Sequence, residues 1–268
     1  KRKCMQIFVA RIKKLVSFAK KYKINLLVEN NVVTKQNFKN FGTNPFLLTN
    51  PKDIKSFYLV PHDGKPFPKF DPGQYLTFSL RIKDRQKPLV RCYSLSDSPF
   101  QKEHYRVSIK RLDPPRDMPE ASPGESSNFF HNDLIVDDIV DVKAPGGNFT
   151  LDLSKHTPVV LLGGGIGITP MLSMLEGICE SDSWRETWLF YGIRDGDEGI
   201  MLERCRELAA DHENVHVQIC CSKPRDQTDI LGSDYDHKGR VTVELLHLDM
   251  QLRMAFKGLQ IIFLGLML

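Results

Sequence analysis

Short apolar runs alternate with helix-period segments after Pro158. The predicted order is strand Val159–Leu162, helix 170–180, strand Thr187–Tyr191, helix near 199–210, strand Val215–Cys220, helix 241–248 and strand Gln260–Leu264. Strands that alternate with helices in this way are typical of a doubly wound parallel sheet. We therefore predict an α/β domain over residues 155–268.

The preceding part of the chain has a different rhythm, with short β-rich runs separated by turn-forming residues. The predicted strands are Ile54–Val60, Tyr75–Ile82, Leu89–Leu95, His104–Lys110 and Val136–Val142. A Pro- and Gly-rich loop over Asp113–Gly124 is followed by a short helix from about Ser126. Antiparallel strands at this spacing predict a small barrel, which we expect to be a six-stranded Greek key over residues 47–154.

The N-terminal segment differs from both domains in charge. Residues 1–40 carry eleven Lys or Arg and one acidic residue, Glu29, which gives a net charge of +10. Since the whole chain carries +4, residues 41–268 carry −6. Apolar positions at helical spacing predict a basic amphipathic helix over residues 5–22, either on an anionic membrane surface, in a targeting segment or against a neighbouring domain. Residues 23–46 have no clear period and are interpreted as a linker, so 1–46 form a separate segment.

Composition narrows the functional classes. The chain is 41% hydrophobic and 26% charged, as in ordinary globular proteins, and its main body has no basic stripe for nucleic acid. Six cysteines lack zinc or iron–sulfur spacing, and the histidines form no HExxH motif, so we expect no metal site and reduced thiols. No apolar run reaches the roughly 18–20 residues that cross a bilayer. We expect a soluble intracellular protein, with any membrane contact confined to residues 5–22.

The stretch PVVLLGGGIGITPMLSMLE, from Pro158 to Glu176, is the strongest candidate for a ligand site. Glycines between a buried strand and a helix let the backbone turn sharply and approach a ligand, and a helix N-terminus attracts phosphate. Thr169 is the predicted N-cap, with Pro170 at the first helical position. The spacing fits neither GxGxxG nor a P-loop, and a tight structural turn is the alternative interpretation.

Several motifs in order resemble the ferredoxin–NADP reductase superfamily of flavoproteins, over about residues 47–248. They are Gly73-Gln74-Tyr75, the RxYS strand Arg91 to Ser94, Val107-Ser108-Ile109-Lys110, GESSNFF from Gly124 to Phe130, the turn Gly163 to Pro170, and Tyr191-Gly192-Ile193-Arg194. The likeness is greatest to the reductase modules of flavohaemoglobins and of iron–sulfur oxygenase systems. This resemblance implies a flavin-binding barrel followed by a nicotinamide-nucleotide domain.

The resemblance also implies roles for residues in the barrel. Arg91 would grip the FAD phosphates, as suits a guanidinium, while Tyr93 and Ser94 would contact the flavin ring and ribityl chain as the candidate catalytic residues. Further flavin contacts are implied at Ser108, Lys110, Gly124, Ser126 and Ser127. A half-buried strand aromatic is the alternative for Tyr93, and a simple helix cap is the alternative for the Ser126–Ser127 turn. His131 lies where related reductases often have a histidine near the phosphates, although a surface helix end is equally consistent.

The nicotinamide nucleotide, NADPH or NADH, is implied to bind in the second domain. Its pyrophosphate would lie on the turn, at Gly164, Gly165, Gly167 and Thr169. Its 2′ substituent would be read by the segment Ser222 to Arg225, where Lys223 and Arg225 favour NADPH slightly because a 2′-phosphate attracts cations. A solvated loop is the alternative there, and for Arg194.

The C-terminus departs from the superfamily pattern. The family's last strand normally leads into CGPP and a further helix; here Leu264 stands at the cysteine position and Leu266 at the first proline. We interpret this departure as a truncated or alternatively spliced product, with a specialised enzyme as the alternative. By the resemblance the cysteine helps to position the nicotinamide, so its absence predicts impaired hydride transfer.

The sequence thus leaves three functional hypotheses. The first is an oxidoreductase that passes electrons from NAD(P)H through FAD to an iron–sulfur or haem partner. The second is a flavin-binding module that does not catalyse reduction. The third is a membrane-peripheral adaptor that uses residues 5–22.

Overall fold

The computed structural model describes residues 54–114, 118–181, 183–246 and 260–264, with residues 13 and 17 and the backbone of 25–29. The strands, in chain order, are β1 (Asn25–Glu29), β2 (Ile54–Leu59), β3 (Tyr75–Leu80), β4 (Leu89–Ser94), β5 (Tyr105–Lys110), β6 (Asp141–Gly146), β7 (Val159–Gly164), β8 (Thr187–Ile193), β9 (Val215–Cys221), β10 (His237–Lys238) and β11 (Gln260–Leu264). The helices are α1 (Glu125–Asn128), α2 (Ile168–Glu180) and α3 (Leu202–Asp211). Among these helices of the described part, none is long and apolar enough to cross a membrane.

Strands β2 to β6 build the barrel domain from antiparallel pairs. β2 pairs with β5, and β3 lies between β4 and β6. An isolated bridge between Leu95 and Val107 joins the two sheets. Alternate strand residues such as Leu76 and Phe78 point inward and form one core, to which Phe130 of the segment after α1 also belongs. Residues 54–114 and 118–154 thus contain five strands of the predicted six, in the antiparallel arrangement expected.

One barrel strand lies later than predicted. The apolar run Val136–Val142 predicts a strand, but the observed strand is Asp141–Gly146. Most of the run forms a surface turn, in which Val136 is 89% exposed and Asp137 has a positive φ of 73°. The run is apolar without being buried, so its composition gave a wrong position for this strand.

The α/β domain is organised around a parallel sheet in the order β1-β11-β7-β8-β9-β10. Every adjacent pair in this order is parallel. β7 and β8 are almost entirely buried, as expected for central strands covered on both faces. Helix α2 is buried at every position from Ile168 to Cys179, so it is covered on all sides. The predicted alternation of strands and helices is confirmed.

The edge strand β1 corrects the interpretation of residues 23–46 as a linker. Its backbone pairs in parallel with β11, in register from Asn25–Gln260 to Glu29–Leu264. Five residues of the supposed linker are therefore part of the sheet. Of the predicted basic helix over 5–22, residues 13 and 17 are helical and the others lie outside the described residues. The proposed boundaries at 46/47 and 154/155 stay predictions.

The two domains meet along helix α2. Pro99, which follows the end of β4, lies so close to Gly177 that a methyl group there would be 3.2 Å from the proline ring. Gly73 lies between the Phe149 backbone and the Met174 side chain in the same way. The Ser98 hydroxyl donates a hydrogen bond to Glu180 at 2.7 Å. The helix that follows the glycine turn is thus fixed directly against the barrel.

Candidate functional site

Tyr93 is held in place by the core of the barrel. Its ring makes edge contacts with Phe78 and Phe130, at centroid distances of 5.7 and 5.3 Å. Its hydroxyl lies 2.8 Å from the Ser126 hydroxyl, which joins β4 to helix α1. Burial raises the pKa of Tyr93 above its ordinary value, so the phenol stays protonated at neutral pH. The structure therefore brings together two of the predicted flavin contacts.

Arg91 and Ser94 lie on opposite faces of β4. Register places Arg91 opposite the core residue Phe78 and Ser94 opposite Tyr75. Arg91 is exposed, and its guanidinium donates to the neighbouring Val90 carbonyl at 2.7 Å. Arg91 therefore shares a face with Tyr93 but reaches outward from it, where a phosphate can approach.

The turn before α1 is built from hydrogen bonds within the chain. The Ser127 hydroxyl accepts the Leu112 amide and donates to the Gly124 carbonyl, both at 3.0 Å. A side chain at Gly124 would come within 2.7 Å of Leu112. Ser127 and Gly124 thus shape the turn, while the buried Ser126 hydroxyl lies against Tyr93.

His131 lies inside the barrel domain. It is buried, and its Nε2 lies 2.8 Å from the Ile109 carbonyl of β5. The surface helix-end alternative is therefore wrong for this histidine.

The glycine turn of the α/β domain joins β7 to α2 without a side-chain cap. β7 includes Gly163 and Gly164, and the next three residues form a 3₁₀ turn that runs directly into the helix. Gly165 has a φ of +52°, and a Cβ atom there would meet open space. A left-handed glycine at an open helix N-terminus leaves backbone amides accessible to an anion. This geometry fits a nucleotide pyrophosphate.

The predicted cap of this helix is wrong. The helix begins at Ile168, with Gly167 as the N-cap residue and no side-chain cap. The Thr169 hydroxyl instead donates back to the Ile166 carbonyl at 3.0 Å. Because the preceding 3₁₀ turn is continuous with the helix, Thr169 is already inside the first turn.

Arg225 lies beside the carboxyl ends of β8 and β9 and is tied to two carboxylates. Its guanidinium binds Asp229 at 2.7 Å and Asp197 at 2.7 Å. Asp229 also accepts the backbone amides of Arg225 and Gly196, at 2.8 and 3.0 Å. These bonds hold the pKa of Asp229 well below its ordinary range, so the carboxylate is charged at neutral pH. The positive charge of Arg225 is therefore balanced twice over.

Comparison with known proteins supports the flavoprotein interpretation. Residues 161–261 match the family model described as "Oxidoreductase NAD-binding domain". The flavohemoprotein of Bacillus cereus is 37% identical over 193 residues, which cover 72% of this chain and 46% of that protein. The flavohemoglobin-like FAD/NAD-binding domain of the Vibrio cholerae nitric oxide dioxygenase superposes with a TM-score of 0.64 at 22% identity, covering 81% of this chain and 94% of that one. Malassezia yamatoensis flavohemoglobin, a structure with bound FAD and heme, superposes with a TM-score of 0.57 at 22% identity, covering 81% and 58%.

The chain therefore contains an oxidoreductase NAD-binding domain, and it has the two-domain fold of the flavohemoglobin-like FAD/NAD-binding domain. It spans a little under half the length of the Bacillus cereus relative. Its barrel and parallel sheet correspond to the two domains of the ferredoxin–NADP reductase fold, as the motifs predict. The assignment of individual residues to ligands stays a prediction.

Two residues predicted to contact flavin, Ser108 and Lys110, are buried in the protein. Ser108 and Lys110 of β5 are only 4% and 7% exposed. The Ser108 hydroxyl is within hydrogen-bond distance of Ser96 and Ser56, at 3.1 and 2.9 Å. The Lys110 ammonium lies 3.8 Å from Glu198 of the α/β domain. Both side chains have partners in the protein itself.

Arg194 and Ser222 lie close together at the carboxyl ends of β8 and β9. The Ser222 amide donates to the Ile193 carbonyl at 2.9 Å. The Arg194 amide donates to Glu198 at 3.1 Å, and its guanidinium lies 3.8 Å from Asp195. Both side chains are partly exposed. They remain candidates for the nucleotide.

Sequence reasoning missed the charged residues that pair across α2 and beside Arg225. Glu176 is 3% exposed on α2, between Arg204 at 3.0 Å and Arg106 at 3.4 Å. Burial raises the pKa of Glu176 despite these two arginines. The missed residues are Arg106, Glu176, Asp197, Glu198, Arg204 and Asp229. The one available signal in the sequence was the position of Arg106 and Lys110, which share the polar side of an alternating strand and could have indicated partners on that side.

Proposed function

We propose that this chain is an FAD-binding module that accepts hydride equivalents from a nicotinamide nucleotide and passes electrons to a haem or iron–sulfur protein. The observation that carries the proposal is that two parts of the barrel, the Gly73-Gln74-Tyr75 motif and the segment that follows the RxYS strand, contact α2. Gly73 and the segment after β4 touch the helix that begins at the glycine turn. The strand predicted to hold the flavin and the turn predicted to hold the nucleotide are thus attached to one rigid element.

The residues fit the two cofactors chemically. Arg91 offers an exposed guanidinium for a phosphate of the flavin nucleotide, beside Tyr93 and Ser126. The Gly164–Gly167 backbone offers amides at an uncapped helix N-terminus for the second nucleotide. When bound, FAD would supply the acceptor for a hydride and the means to release single electrons. The protein contributes binding, orientation and a fixed relation between the two nucleotides.

The relatives favour a haem protein over an iron–sulfur protein as the electron acceptor to test first. The Bacillus cereus relative is a flavohemoprotein, and the Malassezia yamatoensis structure contains FAD and heme. The matched region covers only part of those proteins, so the acceptor would lie in another domain or another chain. An iron–sulfur protein is the second acceptor class.

The first prediction concerns flavin reduction. The protein loaded with FAD and mixed anaerobically with NADH or NADPH should lose the absorption of oxidised flavin in a single turnover, which stopped-flow spectroscopy records.

Arg91→Met should weaken FAD binding by about tenfold or more through loss of a charge-assisted phosphate contact. The matched control Arg81→Met removes an exposed barrel arginine that pairs with Asp141 at 3.1 Å, and it should leave FAD affinity unchanged. Unchanged affinity in Arg91→Met would place the flavin elsewhere.

The rival function is a flavin-binding module that nucleotides do not reduce. The observation that favours it is the position of Leu264, whose backbone pairs with Gly163 at the start of the glycine turn. The resemblance places a nicotinamide-positioning cysteine there. Retention of FAD with no bleaching by either nucleotide would select this rival over the oxidoreductase.

We further propose that NADH is preferred to NADPH, against the expectation from Lys223 and Arg225 alone. Arg225 is already bound by Asp229 and Asp197, and Gly196 lacks the side chain that would come within 2.5 Å of Asp229. A 2′-phosphate would have to compete with two carboxylates, whereas a 2′-hydroxyl can bond to one of them.

The second prediction follows from this cluster. Asp197→Asn should lower the ratio of kcat/KM for NADH over NADPH about tenfold, because it frees one edge of the Arg225 guanidinium for phosphate. Steady-state kinetics with both nucleotides measures the ratio. Asp141→Asn, which removes a carboxylate of similar exposure from the barrel surface, is the control. A ratio that is equal in the two variants would contradict a role of this cluster in selectivity.

A further inference from the structure

Strand β5 is buried on both faces, and the two faces belong to different domains. Tyr105, Val107 and Ile109 point into the barrel core. The alternate residues Arg106 and Lys110 point the other way, yet the Lys110 side chain is only 5% exposed and that of Arg106 is 16% exposed. The side that would be solvated in a free barrel is therefore covered by the α/β domain.

Arg106 reaches the helix that follows the glycine turn. Its Nη2 lies 3.4 Å from Oε2 of Glu176, while Arg204 of α3 binds Oε1 of the same carboxylate at 3.0 Å. Nη2 of Arg106 also donates to the Ser96 carbonyl, and it lies 3.6 Å from Asp97. One buried carboxylate is thus shared by a cation from each domain.

Lys110 reaches a second segment of the α/β domain. Its Nζ lies 3.8 Å from Oε1 of Glu198, a residue that follows β8. The second oxygen of Glu198 accepts the Arg194 amide at 3.1 Å, and its carbonyl accepts the Tyr191 hydroxyl at 3.2 Å. Glu198 therefore links Lys110 to the carboxyl end of β8.

We propose that Arg106 and Lys110 are positioning residues that hold the α/β domain on the barrel at two points, Glu176 of α2 and Glu198 after β8. Strand β5 itself contacts the Gly165–Gly167 turn. Because the proposal rests on the function proposed above, its consequence is kinetic: the two ion pairs fix the distance between the nicotinamide and the flavin. Buried pairs suit this task because solvent screens them little and a lost partner leaves an uncompensated charge.

The test compares Lys110→Met, Glu198→Gln and the double variant with Lys110→Arg in the FAD-loaded protein. A displacement of about 1 Å at a reacting centre can slow a reaction roughly 100-fold. We expect Lys110→Met and Glu198→Gln each to slow single-turnover flavin reduction by about 10- to 100-fold with less than about a threefold change in NADH affinity. The double variant should be no slower than either single variant, and Lys110→Arg should restore most of the rate.

A second readout does not depend on turnover. Hydrogen exchange of the Gly163–Ile168 amides, measured in oxidised protein without nucleotide, should be faster in Lys110→Met and unchanged in Arg206→Met. The control removes an ion pair of 2.9 Å with Asp236 that lies wholly within the α/β domain. Equal exchange in both variants, or a rate loss matched by an equal loss of NADH affinity, would overturn the proposal. A wild-type protein that NADH fails to reduce would defeat the proposed function, while the exchange measurement would still decide whether the two points hold the turn.

Discussion

Replacement of Gly73 by alanine is expected to lower the free energy of unfolding by about 3 kcal/mol or more. Gly73 has a φ of +102°, and a Cβ atom would collide with the Phe149 carbonyl oxygen and come within 2.5 Å of the Met174 methyl group. The methionine can move, but the backbone oxygen cannot move without shifting the chain that leaves the barrel. Urea denaturation of the purified variant measures the loss.

Gly64 provides the matched control for this substitution. It also has a positive φ, of +67°, but nothing lies within 4 Å of its Cβ position. Gly64→Ala should therefore cost only the backbone strain of about 1–2 kcal/mol. Equal losses in the two variants would show that the contact between the barrel and α2 at Gly73 is looser than described.

Replacement of Arg185 by methionine is expected to cost about 3 kcal/mol of stability. This side chain is 1% exposed, and it donates to the carbonyls of Thr157 and Asp152 and to the side chain of Gln260 at the start of β11. Burial lowers the pKa of Arg185 from its ordinary value, and the residue still titrates far above neutral pH. Methionine fills much of the volume but leaves three partly buried acceptors without the donor that the guanidinium supplies.

The same denaturation experiment on Arg81→Met supplies the comparison. Arg81 makes an exposed ion pair with Asp141, of the kind that contributes about 0–1 kcal/mol. A loss for Arg185→Met no greater than that for Arg81→Met would mean that water replaces the guanidinium at its three acceptors.

The elements that could be predicted are those whose sequence pattern matches their burial. β3 alternates between half-buried and buried residues, and β8 is buried throughout, so one reads as an antiparallel strand and the other as a central parallel strand. The strand predicted from the apolar run around Val136 was misplaced because the apolar residues there face solvent. β1 was missed because a short strand at the edge of a sheet has no local signal for a partner that lies at the far end of the chain.

Some residues of the candidate site could also be predicted from the sequence, and others could not. The motifs around Arg91, Tyr93 and Gly165 are local in sequence, so a resemblance could point to them directly. The partners of Lys110 and Arg225 are fixed by tertiary packing, and they changed the interpretation of both residues. The carboxylates of Glu198, Asp197 and Asp229 lie in ordinary acidic loops of the sequence, where nothing marks them as partners of buried or clustered cations.

The pairing of β1 with β11 makes the α/β domain discontinuous along the chain, with the whole barrel inserted between its first strand and the rest. During synthesis, the barrel and the strands up to β9 can assemble early, whereas this edge can close only after the last strand has left the ribosome. Until then the flank of β7 that β11 will occupy is an open template for another strand. Forms of the protein that lack β11 should therefore associate through that flank. Expression of the second domain without residues 25–29 leaves the outer edge of β11 unpaired, so it should favour aggregates over monomers.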